Sequence, residues 1–522
     1  MPDWLPSWLL RLVVALAERF EFLANYINFR IINATVDAVR NRPHPWSTVH
    51  DYTSWTGLSD YRWSARHLPP VYMTDLPPPD RVMELFRRPI GEQRLCKKST
   101  CLFPAFAQYL TDGFIRTRMP NTSAGELNDL RRQNTSNHQI DLCPLYGRTI
   151  EQTDALRWKS NARGERGRLK SQQIRGEEYA PFLFLPDGTL DPAFKSLDTP
   201  LGLDNFPGLD IRAKIFAVGG DRVNSAPQTA MINTLLLREH NRLAGAIERD
   251  DPTWDDERVF QTARNTLIAI FIKIVVEEYI NHIAPSPFRL SSNPVVGYRS
   301  RWYRTNWITT EFSLLYRWHS LLPDKVRWDG QLRHVGTTLM RNDLLLARGL
   351  VESFDAFGNE TAGRLGAMNT AHALLDIEKA SANQGRICNV GPYSDYREYA
   401  QLKRPGSFSD VNPDPEICRL LKELYGEPGR IEFYPGLFCE DPVLNSPLPP
   451  LILRLVAVDA FSQALTNPLL SEHVFNEQTF SDVGWKAIQT TVSLANLLER
   501  NSPHGLQGAR ISMTRADWKY VW

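Results

Sequence analysis

Trp4, Trp8, Leu12 and Leu16 recur at every fourth position, with Leu5, Leu9 and Val13 beside them, so the chain opens on a wide apolar stripe at helical spacing. Arg11, Glu18 and Arg19 interrupt it, and the apolar run 12–17 is far shorter than the roughly 20 residues a spanning helix needs. Two tryptophans at the leading end suit a boundary between water and lipid. A second amphipathic stretch over 22–39 continues the pattern until Pro43 and Pro45 break it. The pattern predicts monotopic helices over 1–42 lying on a membrane surface; helices that cap a core would carry the same stripe.

Residues 43–90 are punctuated by LPP at 68–70 and LPPPD at 76–80, which predicts an extended connector. Helical periodicity dominates from 91 to 522. Over 229–283 it forms one long pattern ending in LIAIFIKIVVEEYINHI, read as a buried core helix. Segment 157–175, with Lys159, Arg163, Arg166, Arg168 and Lys170, is polar and basic enough to predict a solvated loop. No repeat and no glycine-rich phosphate loop is present.

The 522 residues would fill two or three domains or one large helical body, and 42% hydrophobic residues leave ample core material. Sixty basic against 59 acidic side chains remove any charge-based argument for nucleic acid as a partner. The six cysteines are scattered without a CxxC pair, which argues for a reducing cytoplasm and against a zinc or disulfide framework, and no secretory leader is evident. The candidate chemistry lies in EFSLLYRWHSLLPD, 311–324, where Tyr316 and His319 stand three apart. On a helix they would share one face, with the phenol at the edge of any metal the imidazole held. A single histidine is more often a core or surface residue than a ligand, so this string alone leaves the choice open.

GDRVNSAPQTAMINTLLLREHNRLA, 220–244, resembles the GDxRxN and LREHNRLA signature of the animal haem peroxidases. Segment 250–283, VESF at 351–354, AGRLG at 362–366, ELYGEPGRIEFYPGLF at 423–438 and DVGWKAIQTT at 482–491 are similar to the cyclooxygenases. The resemblance covers nearly the whole chain, without the small epidermal-growth-factor module of the animal enzymes. It implies a mainly α, large helical haem-peroxidase fold with little β, its catalytic domain spanning 91–522. His319 would be the proximal ligand of haem b. Myeloperoxidase-like members carry an arginine three residues earlier, whereas cyclooxygenases, linoleate diol synthases and plant α-dioxygenases carry a tyrosine, as here. Tyr316 would then be a radical carrier that takes a hydrogen atom from an unsaturated fatty acid before O2 adds. Tyr279 matches the tyrosine that hydrogen-bonds the radical site, and Ser462 the serine of the oxygenase channel.

The distal side departs from the pattern. Gln108 matches its glutamine, but Asp112 stands where a histidine is expected, so O–O cleavage is weakened unless a raised pKa lets Asp112 act as acid and base. Thr111 fills the slot of the aspartate that forms a covalent haem ester, which argues against such a bond. Arg40 or Arg42 would hold the fatty-acid carboxylate, whose tyrosine partner is replaced by Ser286, and segment 157–175 is a further candidate for holding haem propionates. The expected setting is a cytoplasmic, peripheral membrane enzyme, with a homodimer left open. The rival readings are a haem peroxidase using H2O2 and small reductants, and a haem-binding protein that has lost catalysis.

Overall fold

A computed structural model describes residues 6–37 and 61–522, except 122, 124, 299, 301, 304, 305 and 329, and except the side chains of 128 and 129. The first helices are α1 (Ser7–Arg19) and α2 (Glu21–Asp37), which pack against each other. After them come strand β1 (Leu95–Thr100) and helix α3 (Leu102–Asp112). The hairpin β2 (Gln172–Ile174) and β3 (Glu177–Tyr179) precedes the two long helices α4 (Pro227–Asp250) and α5 (Asp256–Ile274). Then follow the short α6 (Thr310–Leu315), the hairpin β4 (Lys325–Trp328) and β5 (Gln331–His334), helix α7 (Leu350–Asn359) and strand β6 (Thr361–Gly363). The remaining principal helices are α8 (Leu375–Ile387), α9 (Phe433–Cys439), α10 (Pro450–Leu465) and α11 (Glu477–Thr490). Among the described residues there are three sheets of two strands each; β1 pairs antiparallel with β6 across the chain. The protein is a helical body with little β.

Helix α4 is the central post. It starts at Pro227, whose missing N–H costs nothing in the first turn, and nearly all its side chains are buried against α3, α5, α7 and α11. The single helical pattern expected over 229–283 is broken at 251–255, where Pro252 stops α4 and Asp255 caps α5 by accepting the Arg258 N–H at 2.9 Å. Asp256–Ile283 is long and apolar enough to cross a membrane, yet 78% of its apolar window lies inside the fold, so it is a core helix as expected.

Segment 157–175 is the solvated loop its charge predicted only in part: residues 158–165 are mostly exposed, whereas Arg157, Arg166 and Arg168 are tied to the body of the protein. Arg157 is buried, pairs with Asp256 at 2.7 Å and with Glu257, and stacks on Phe260. Arg166 donates to the Pro252 and Trp254 carbonyls, and Arg168 to that of Asn241. Arg166 thus satisfies two carbonyls of the turn between α4 and α5, Arg157 holds the start of α5, and Arg168 ties the segment to the body of α4. All six cysteines are free thiols.

Helices α1 and α2 are sparsely buried. Trp8, Leu12 and Leu16 on α1, Phe20 between the helices, and Phe22, Tyr26 and Phe29 on α2 are all exposed, Phe22 by 75%. Farther along α2, Ile32 and Val36 are buried, and the helix packs against α10. Asn28 fixes it by donating to the Ser291 hydroxyl at 3.0 Å, and Asn33 by accepting the Trp302 indole N–H at 2.8 Å.

Candidate active site

Helix α6 aims the Tyr316 side chain and then stops. Its N-cap Thr309 accepts the Phe312 N–H at 3.0 Å, and the backbone leaves the helix at Tyr316. Two carbonyls at its end are taken by the next side chains: Trp318 Nε1 donates to Leu315 at 2.6 Å and Arg317 Nε to Ser313 at 3.1 Å. His319 then opens a 3-10 turn, His319–Leu321. Tyr316 and His319 therefore do not share a helix face, as their spacing suggested; a bend between them sets the two rings apart.

The Tyr316 phenol is buried between Phe312 and Trp318, with ring centroids 4.6 and 4.5 Å away. Tyr279 donates to its hydroxyl at 3.2 Å. Tyr279 belongs to a π-helical turn, Val275–Ile280, that ends α5; the Asn281 amide accepts the role of closing it by donating to the Val276 and Glu277 carbonyls. Such turns are rare and gather at functional sites. Burial raises the pKa of both phenols, so the resting form of Tyr316 is the neutral phenol. The Tyr279 hydrogen bond opposes that rise at Tyr316, because it favours a charged oxygen there.

The turn after His319 is fixed from strand β6 and the loop behind it. The Gly366 N–H donates to the Ser320 hydroxyl at 3.3 Å, and the Asn369 amide to the Ser320 carbonyl at 3.4 Å. Gly363 packs so closely on that carbonyl that a Cβ there would collide with it. Arg88 holds the Leu322 carbonyl at 3.1 Å and pairs with Asp324. His319 Nδ1 lies 3.2 Å from Glu378 Oε1 on α8, close enough for charge attraction but out of line for a hydrogen bond, so this buried nitrogen has no hydrogen-bond partner among the described residues.

Helix α3 supplies the other wall. Gln108 donates to the Ser225 hydroxyl at 3.0 Å, and the Thr111 hydroxyl is spent on the Ala107 and Gln108 carbonyls of its own helix. Asp112 is buried, with Oδ1 3.5 Å from Arg222 Nη1 and Oδ2 unpartnered. Burial pushes its pKa up to about 6, with the Arg222 guanidinium pulling the other way. The Arg317 guanidinium feels Arg222 and Asp112 on this side and Tyr434 and Glu378 on the other, and burial lowers its pKa to about 10. It retains accessible surface although protein surrounds it, as a side chain lining an enclosed space does.

Ser462, on α10, turns its hydroxyl back to the Val458 carbonyl at 3.0 Å. One turn earlier Asp459 pairs with His67 Nε2 at 2.9 Å, and its charge raises the pKa of Tyr316. Ser286 accepts the Phe288 N–H in a loop. Arg40 and Arg42 lie outside the described residues. Arg222, Arg317, Glu378 and Tyr434 stand outside the set expected from sequence. Arg222 was within reach there, inside the GDRVN string; Glu378 sits in an ordinary amphipathic helix and carries no local signal.

An imidazole exposed by 17%, an orphaned Asp112 carboxyl oxygen and the Arg222 and Arg317 guanidinium groups beside it suit a planar iron macrocycle bearing carboxylates. His319 offers it a ring nitrogen, and Arg222 and Arg317 offer cations.

Residues 97–512 match the family described as animal haem peroxidase. Prostaglandin G/H synthase 2 from Bos taurus is 29% identical over 503 residues, covering 93% of this chain and 78% of that protein. Among solved structures, peroxidase A from Dictyostelium discoideum superposes with a TM-score of 0.70 at 19% identity, over 86% of this chain and 95% of that one. Fatty acid alpha-dioxygenase from Oryza sativa gives a TM-score of 0.68 at 17% identity, over 87% of this chain and 84% of the other. These two share the fold.

Proposed function

The chain belongs to the animal haem peroxidase family and is a haem-dependent oxidoreductase, and from that premise we propose that it is a fatty-acid dioxygenase in which Tyr316 carries the radical. The observation that supports this most is the buried Tyr316 phenol, three residues before His319, receiving the Tyr279 hydrogen bond at 3.2 Å. The proposed cofactor is haem b, held through His319. When bound, it supplies the one-electron oxidant a phenol needs.

Tyr316 is neutral at rest, so its oxidation sheds a proton along with the electron. The Tyr279 hydroxyl holds the phenoxyl oxygen in place. The Tyr316 radical then removes a hydrogen atom from an activated C–H of the fatty acid and the phenol re-forms. O2 adds to the carbon radical to give a peroxyl radical, which takes the hydrogen atom back from the Tyr316 phenol, directly for a hydroperoxide or after ring closure for an endoperoxide, and so renews the tyrosyl radical. Phe312 and Trp318 keep water from the phenol. Asp112 takes a proton from an incoming hydroperoxide and returns it to the departing oxygen, with Arg222 holding the carboxyl. The exposed apolar faces of α1 and α2 rest on a membrane surface as a monotopic anchor.

The test is oxygen uptake and product mass spectrometry with C16 to C20 unsaturated acids and a trace of hydroperoxide. Tyr316→Phe should keep the haem spectrum and abolish uptake; unchanged uptake would overturn the radical role. A second reading, a peroxidase consuming H2O2 with small reductants, is favoured by the Asp112–Arg222 pair. Guaiacol oxidation without any fatty-acid product would establish it instead.

A further inference from the structure

Glu378 has no part in the oxygenase scheme, yet it is built into the site with care. It is 2% exposed, and it accepts the Thr370 hydroxyl at 2.8 Å on Oε1 and the Tyr434 phenol on Oε2. Two O–H donors complement the acceptor-only, ionised form of a carboxyl group. Its Oε1 retains a free lone-pair direction and lies 3.2 Å from His319 Nδ1, the buried ring nitrogen that lacks a hydrogen bond. Leaving such a nitrogen unpaired is costly, so a partner within reach will take it. A small rotation of the imidazole brings the Nδ1 hydrogen into line with the waiting oxygen.

We propose that Glu378 is the positioning residue of His319. It accepts the Nδ1 hydrogen, which fixes the tautomer in which Nε2 keeps its lone pair, and its negative charge makes that lone pair a stronger donor to a metal. Tyr434 from α9 and Thr370 from the loop behind β6 hold the carboxyl still, so three separate parts of the chain determine the orientation of one ring. The proposal rests on His319 being the haem ligand, and it adds that this ligand is electron-rich. An electron-rich ligand stabilises the ferric over the ferrous state in the one-electron couple.

The experiment compares the haem-loaded full chain with its Glu378→Gln, Glu378→Asp and His319→Ala variants, reading the spectrum, haem affinity and ferric/ferrous midpoint potential. Glu378→Gln should keep a histidine-ligated spectrum while the ferrous-to-ferric ratio at fixed potential rises at least tenfold, a shift of about 59 mV for one electron. Haem affinity should fall roughly tenfold. Glu378→Asp should bring the potential part of the way back, which a purely structural role would not do. An unchanged potential in a folded, haem-bound Glu378→Gln protein overturns the proposal. Should that variant not fold, the iron–histidine stretch of the unsubstituted ferrous protein decides: a frequency above that of haem–imidazole in water supports the charged partner, and one at or below it does not. Retention of the histidine-ligated spectrum in His319→Ala would instead overturn the ligand assignment.

Discussion

Asp112 is a carboxyl held where ionisation is unfavourable, and that has consequences for stability and for turnover. Burial lifts its pKa from the ordinary 3.8 to about 6, so the folded state binds this proton more tightly than the unfolded chain. The resulting stabilisation is fully present below pH 3.8 and lost as pH rises through 6. Asp112→Asn lacks that dependence: its Tm relative to the parent protein should be higher at pH 8 than at pH 4. Peroxide turnover moves oppositely, because the base form must be present to take the first proton. The parent rate should fall on the acid side near pH 6, and the Asn variant should be slow with no such limb. At this scale the sequence was informative wherever a residue sat in a contiguous signature. Tyr279, Tyr316, His319, Gln108 and Asp112 were all named from short strings. Glu378 was not, since only folding brings α8 beneath His319, and nothing in DIEKASANQ distinguishes a carboxyl facing the His319 ring from one facing water.

Among the elements, the turn His319–Leu321 depends on the close approach of β6 more than on its own residues. Gly363→Ala would set a Cβ against the Ser320 carbonyl, and overpacking of that kind costs about 1–3 kcal/mol. The expected result is a folded protein with modestly lowered Tm and haem affinity reduced out of proportion, read by thermal melting and haem titration; equal, small losses in both would place the strain elsewhere. Periodicity located α5 and the core but joined α4 to α5, because one proline between two good helices leaves the spacing of apolar residues nearly intact. It also placed Tyr316 and His319 on one helix. What ends α6 is the capture of its carbonyls by Arg317 and Trp318, a side-chain event that spacing does not register. Segment 157–175 departs from a solvated loop at Arg157 for a related reason: composition counts charges but does not say whether Asp256 and Glu257 wait for them.

For the whole molecule, the signatures spread over most of the chain made the helical fold legible before any coordinates, while the packing that joins α2 to α10 was not. The exposed row of Trp8, Leu12, Leu16, Phe22 and Phe29 should bind phospholipid vesicles. Replacing Trp8, Leu12 and Leu16 by serine should abolish flotation with vesicles and leave the haem spectrum unaltered. Helix α2 exposes Phe22, Tyr26 and Phe29 and packs against α10, the helix of Ser462 and Asp459, so a single helix separates the outer surface from the reacting region. On the proposed membrane-surface reading, a fatty acid dissolved in the bilayer would reach the enzyme without entering water. The concentration that governs the rate becomes a mole fraction in a two-dimensional film. Diluting the substrate with inert phospholipid at constant bulk concentration should slow oxygen uptake, as it would for an enzyme that reads the surface instead of the solution.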